Sequence, residues 1–222
     1  MAVILVLLTF TTLLLIDHFY SKKHALVQPY VQAAQEAPAR LASTVVGGFA
    51  VPDNLRYHPG HTWALSESPN LVRVGMDDFA SKLAGKVASI TLPQRGQWLR
   101  QGQKVCTLHR DGTAVDMLSP IEGVVANVND TLVQTPELIG KDPYGDGWLL
   151  TVQAPDAKIS FRNLLGGTLA RWWTEESASR LRMKMPAMAG ALAQDGGVAV
   201  DDIANQIPDK DWGALAKEFF LS

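Results

Sequence analysis

Asp111-Gly112 lies between two runs rich in β-branched and apolar residues, Val105–His109 and Thr113–Met117. Glycine accepts the positive φ that a tight two-residue turn demands, so the pair is a strong hairpin signal. With the two strands of this hairpin, Lys104–His109 and Thr113–Met117, strands are predicted near Trp63–Leu65, Val72–Gly75, Ala88–Thr91, Gly123–Val128 and Trp148–Gln153. Pro69-Asn70 supplies the turn between the first two. Turn residues punctuate the series at the intervals of a small β-sandwich or barrel. Asp77-Asp78 can cap a single early helix from Phe79 to about Ala84, which Gly85 ends.

A different pattern opens the chain. Ala2 to Ile16 is uncharged and holds eleven Leu, Ile, Val and Phe residues, with Asp17, Phe19, Tyr20 and then Lys22-Lys23 following. Each of the eleven favours the bilayer centre by ~0.3–0.6 kcal/mol, or roughly 3–7 kcal/mol together. Residues 2–20 form about 28 Å of helix at ~1.5 Å per residue, close to the hydrocarbon thickness. A cleaved signal peptide would place basic residues before the apolar run and a small-residue cleavage site after it. Here the lysines follow the run, which predicts an uncleaved single-pass anchor with the rest of the chain in the cytoplasm. Residues 21–55 read as a connector, interrupted by Pro29, Pro38 and Pro52 and loosened at Gly47-Gly48, with room for short helices at His24–Gln35 and Ala39–Thr44.

Several blocks between Tyr57 and about Asp156 occur in a telling order. They are His61-Thr62-Trp63, Val74-Gly75-Met76-Asp77-Asp78-Phe79-Ala80, Leu92-Pro93, Ser119-Pro120-Ile121-Glu122-Gly123-Val124-Val125, Asn127-Val128-Asn129, Pro136-Glu137-Leu138-Ile139 and Asp142-Pro143-Tyr144-Gly145-Asp146-Gly147-Trp148-Leu149. With that order and spacing the segment resembles the glycine cleavage system H protein, a lipoyl-bearing shuttle. The resemblance implies a mainly β, flattened barrel-sandwich hybrid over residues 56–157, between the N-terminal transmembrane helix and connector and a helical C-terminal extension, 158–222. In the resembled family the same hairpin carries a Glu-Ser-x-Lys-Ala motif whose lysine is lipoylated. Counting back from Asp116-x-x-Ser119-Pro120, that lysine position falls on Gly112, and His109 and Arg110 stand where the family has its glutamate and serine. No lysine occurs between Lys104 and Lys141, so a slip in register restores no amine to the tip.

Other motifs weigh less. Met183-Lys184-Met185 imitates the biotin-carrier triplet, but it ends a helical stretch and runs into Pro186, so packing methionines are expected. His58-Pro59-Gly60-His61, with His109, lacks the helical i, i+4 placement that aims two imidazoles at one ion, and no metal is expected. Cys106 alternates like a strand residue and reads as a buried small hydrophobe. Asp142–Trp148 lacks calcium-loop spacing. No nucleophile elbow or phosphate loop occurs, so neither an enzyme nor a cofactor is expected. A net charge of −2 gives no reason to expect nucleic acid.

Past Pro155, helical periodicity runs from Asn163 to Met185, Ala187–Gly197 is a small-residue linker, and Asp209 or Asp211 can cap a last helix with Trp212, Leu215, Ala216, Phe219 and Phe220 on one stripe. These helices either pack on their own barrel or dock on another subunit, for which Trp172, Trp173, Met183, Trp212, Phe219 and Phe220 are the candidate contacts. The expectation is a non-catalytic, non-lipoylated accessory subunit, held in the cell membrane by residues 2–20 and bracing an integral-membrane complex, electron-transfer or photosynthetic by analogy, on its cytoplasmic face. The alternatives are a lipoyl-type carrier or docking partner of glycine cleavage or lipoate enzymes, and a small-ligand sensory module.

Overall fold

The computed structural model describes residues 43–185, 198–201, 203 and 212–221. The expected anchor, the helix at His24–Gln35, the Ala187–Gly197 linker and the caps at Asp209 and Asp211 lie outside these residues. Among the described residues no helix is long and apolar enough to cross a membrane.

The first described element corrects the reading of 21–55 as a plain connector. Ser43–Val46 (β1) and Phe49–Pro52 (β2) pair antiparallel, with Val46 opposite Phe49. Gly47 and Gly48, at φ +60° and +96°, make a tight turn here rather than a loose joint. Thr44, at the end of the helix expected over Ala39–Thr44, is in β1. Phe49 and Val51, alternating along β2, are both buried, which ties the hairpin to the core.

Arg56–Tyr57 (β3), Thr62–Ser68 (β4) and Leu71–Met76 (β5) follow. Then come a helix, Asp78–Ala84 (α1), and strands Ser89–Thr91 (β6), Trp98–Leu99 (β7), Lys104–Arg110 (β8), Thr113–Leu118 (β9) and Gly123–Val128 (β10). Two short helices, Asp130–Gln134 (α2) and Leu138–Lys141 (α3), precede Leu150–Gln153 (β11). Helices Ala157–Arg162 (α4), Gly167–Lys184 (α5) and Trp212–Phe220 (α6) end the chain. The strands form a six-stranded sheet in the order β3-β4-β5-β11-β10-β7 and a three-stranded sheet in the order β6-β8-β9, every pairing antiparallel. The fold is mainly β, as expected.

Trp63 anchors the larger sheet. It is fully buried, and its Nε1 donates to the Met76 carbonyl at 2.9 Å and the Pro143 carbonyl at 3.1 Å. Its cross-strand partner is Gly75, where a Cβ would sit 2.4 Å from the indole ring. Only glycine admits that ring without displacing it.

α1 begins and ends as its sequence dictates. The Asp77 carboxylate accepts from Ala80 N at 2.8 Å, and Gly85 at φ +61° closes the helix. All seven of its residues are buried. The helix expected over Asn163–Met185 starts late. Leu165 instead bridges Tyr57 through two backbone hydrogen bonds of 2.8 Å, so Asn163–Gly166 leave the helical path between α4 and α5.

Candidate functional site

The β8–β9 hairpin ends in the turn its sequence demands. Asp111 and Gly112 adopt φ +48° and +77°, the two positive values of a type I′ turn. Among the described residues, a Cβ placed on Gly112 would meet nothing within 4 Å. Asp111 is the exposed side chain there, 84 % accessible. The tip therefore presents a carboxylate and bare backbone. Lys104, at the far end of β8, pairs with Asp116 at 2.9 Å. Partial burial pushes the Asp116 carboxyl up, but the Thr107 hydroxyl and the Lys104 ammonium outweigh it and hold the group below the usual carboxylate range.

Just inside the tip, the hairpin is bolted down. Arg110 is buried, donates from Nη1 to the Ala84 carbonyl at the end of α1, and lies 5.8 Å over the Trp212 ring of α6. Trp212 Nε1 donates to the neighbouring Leu83 carbonyl at 3.2 Å. Two side chains from outside α1 thus satisfy carbonyls its last turn leaves without intrahelical partners. Beside them, His61 Nδ1 meets Asp77 Oδ2 at 2.8 Å. Its ring stacks on Phe79 at 4.2 Å and lies 4.4 Å from Trp173.

The lesser motifs have structural surroundings. His58 Nδ1 accepts from Gly60 N at 3.0 Å within its own turn, and burial, with His61 nearby, lowers its pKa. His109 Nε2 lies 2.9 Å from the Thr91 hydroxyl. Among the described residues no group of three His, Cys, Asp or Glu is placed to hold a metal ion. Cys106 is buried, which pushes its thiol up to about 12. The Asp142 carboxylate accepts from Gly145 N and Asp146 N at 3.1 Å each, closing its own turn. A cleft of about 620 Å³ beside α1 is lined by Lys82, Lys86, Lys141, Asp78, Glu137 and Asp201. Two of its cations are already matched, Lys82 by Asp78 at 2.6 Å and Lys141 by Glu137 at 3.0 Å.

The six residues nominated for docking divide. Trp172 and Met183 are exposed. Trp173 is half-buried against His61 and Tyr57, and Trp212 is half-buried on α1. Phe219 and Phe220 must be withdrawn as contacts for another subunit: both are buried, with Phe219 5.1 Å from Phe79 and Phe220 6.5 Å from His61. The apolar stripe of α6 is satisfied by its own core. The roles of Arg110 and Trp212 as a clamp went unread in the sequence. The one local hint was a bulky cation placed directly before a tight turn.

Residues 55–173 match the model of the glycine cleavage H-protein family. The glycine cleavage system H protein of Alteromonas mediterranea is 37 % identical over 107 residues, covering 48 % of this chain and 83 % of its own. That of Coprothermobacter proteolyticus is 35 % identical over 109 residues, covering 49 % and 86 %. The crystal structure of the Mycobacterium marinum glycine cleavage system H protein is 26 % identical, with a TM-score of 0.48 over 57 % of this chain and 98 % of that one. The family-model match over residues 55–173, more than half of the sequence, with relatives 35–37 % identical over most of their own length, establishes that this chain belongs to the glycine cleavage H-protein family.

Proposed function

We propose that this chain is an unlipoylated H-protein-like docking partner of the enzymes that act on lipoyl carriers, those of glycine cleavage or of lipoate attachment, and that it performs no chemistry itself. One observation carries the reading. The family model matches residues 55–173, yet the turn at the tip of β8–β9 is Asp111-Gly112 and no lysine lies between Lys104 and Lys141. A swinging arm needs an amine at an exposed tip; recognition needs only the surface around it. The test pairs two measurements on protein from its native cells. Intact mass is expected to show no lipoyl adduct, and titration against the glycine cleavage enzymes and lipoate ligase of the same cells is expected to give a saturable complex with at least one. A dithiolane adduct makes the chain a carrier, and no complex with any of them removes the docking role.

A second reading rests on the uncharged run Ala2–Ile16 followed by Lys22-Lys23. In it the chain is a single-pass accessory subunit that braces an integral-membrane complex on the cytoplasmic face of the cell membrane. Stoichiometric copurification with integral-membrane proteins in mild detergent favours this reading; a solitary, freely exchanging chain counts against it.

A further inference from the structure

The cleft beside α1 keeps a buried cation whose charge is matched but whose donors are not. Lys82 is 7 % exposed and lines the cleft. An ammonium carries three N–H donors. Among the described residues Lys82 uses one of them, on Asp78 Oδ2 at 2.6 Å. The Phe49 ring, 5.8 Å from Nζ, is beyond hydrogen-bond reach. A buried ammonium leaves donors without acceptors only at a cost, so the cleft is where an acceptor belongs.

The rest of the lining narrows what that acceptor is. Lys86 lies on the same cleft, exposed and without an ion pair among the described residues. Val87 and Pro143 are buried, and Val198 is 65 % exposed, which gives the cleft apolar walls. At about 620 Å³ it has the size of a small-molecule site. Val198 and Asp201 come from outside the family match and are fixed through Ala199, which is buried and donates from N to the Gly48 carbonyl at 2.7 Å. We propose that this cleft binds a small organic oxyanion, a carboxylate or phosphate monoester on a short aliphatic body. Its oxygens meet Lys82 and Lys86, and its body lies against Val87, Pro143 and Val198. Asp201, exposed on the same cleft and without an ion pair among the described residues, repels a second negative group and limits the ligand to one anionic head. No residue of β8 or β9 lines the cleft, so the site is independent of docking at the hairpin tip.

The full chain in nonionic detergent is titrated by calorimetry with hexanoate, butyl phosphate and inorganic phosphate, with hexanol and hexylammonium as controls. Saturable one-to-one heat is expected with hexanoate or butyl phosphate, the tighter of the two naming the head group, and none with hexanol or hexylammonium. Lys86 is exposed, so Lys86→Glu keeps the fold, and it should weaken binding by about tenfold or more through loss of a charge-assisted contact. Lys82→Met combined with Asp78→Asn removes the buried pair without stranding one charge and should abolish binding. Asp201→Asn should tighten it, and Lys158→Glu, away from the cleft, should leave it unchanged. No saturable heat with either organic anion overturns the proposal, as does binding that Lys86→Glu leaves intact. Weaker binding in Asp201→Asn, or saturable binding of hexylammonium, overturns the anionic class. Inorganic phosphate binding as tightly as butyl phosphate overturns the organic ligand, because the apolar walls would then contribute nothing.

Discussion

Phe220→Ala tests whether the C-terminal helix belongs to the core of this chain or is held for a partner. Phe220 has no exposed surface, and its neighbour Phe219 packs 5.1 Å from Phe79 of α1. An aromatic side chain buries about 150–250 Å², which at ~25 cal/mol/Å² is roughly 4–6 kcal/mol. Part of that area is kept by the alanine methyl, and measured Phe→Ala losses in cores run about 3–5 kcal/mol. With a urea slope of about 2 kcal/mol/M, the unfolding midpoint should fall by roughly 1.5–2.5 M. Equilibrium unfolding followed by tryptophan emission measures it, with Met183→Ala as the control. Met183 is 73 % exposed, and its truncation should stay within about 0.5 kcal/mol. A Phe220→Ala loss below about 1 kcal/mol at unchanged slope would refute the reasoning, because a side chain that costs so little is not supporting the fold.

Gly112→Lys places an amine on the tip in open space, but at φ +77°. A destabilisation of about 1–2 kcal/mol is expected from the left-handed backbone, and intact mass after incubation with lipoate ligase should show no adduct, since His109 and Arg110 still flank the site. Cys106 should resist a thiol reagent at mildly alkaline pH in the native chain and react fully in denaturant, because burial pushes its thiol up to about 12; rapid native labelling would contradict its place in the core. Glu218 is held below the usual carboxylate range chiefly by the Lys184 ammonium at 2.8 Å, against a small burial effect and with Arg180 assisting. Its folded pKa is therefore depressed, so its stabilisation is present above the unfolded value of about 4.3 and is lost as pH falls through the lower folded value. The stability gap between the wild-type chain and Glu218→Gln should be open at neutral pH and close in acid, and a gap that widened on acidification would reverse the sign of the argument.

What could be read from the sequence was local. The Asp111-Gly112 turn, the Asp77 cap, the Gly85 stop and the Pro69-Asn70 turn each follow from the conformational freedom of a few adjacent residues, and each lies where expected. β1 and β2 escaped for the opposite reason. Gly47-Gly48 serves equally as a flexible joint or as a tight turn, and what decides is Phe49 reaching Phe79 at 4.8 Å, a contact thirty positions away. The interruption before α5 depends on Leu165 finding Tyr57 across the fold. In α6, periodicity revealed an apolar stripe without revealing what it meets. Whether Phe219 and Phe220 face the chain's own core or a neighbour is a tertiary fact with no local signature.

Among the described residues, the parts that lie outside the family match converge on one helix. Residues 55–173 carry the match, so β1, β2, the end of α5 and all of α6 are additions to it. From the first of these, Ala50 N donates to Asp78 at 2.8 Å and Phe49 packs on Phe79; from the last, Phe219 packs on Phe79 and Trp212 reaches Leu83. Arg180 and Lys184 of α5 then lock α6 in place through Glu218, at 3.2 and 2.8 Å. These contacts close over α1 and fasten the inner end of the hairpin through Arg110 and Trp212. A docking partner that recognises the family domain would therefore find α1 covered and the hairpin tip open. Recognition through the tip should tolerate changes on α1's outer contacts that leave the fold standing, whereas recognition through α1 would require α6 to lift and expose Phe219 and Phe220. Hydrogen exchange across α6 with and without the bound enzyme separates the two: unchanged protection keeps α6 in place and assigns the contact to the tip, and loss of protection on binding assigns it to α1.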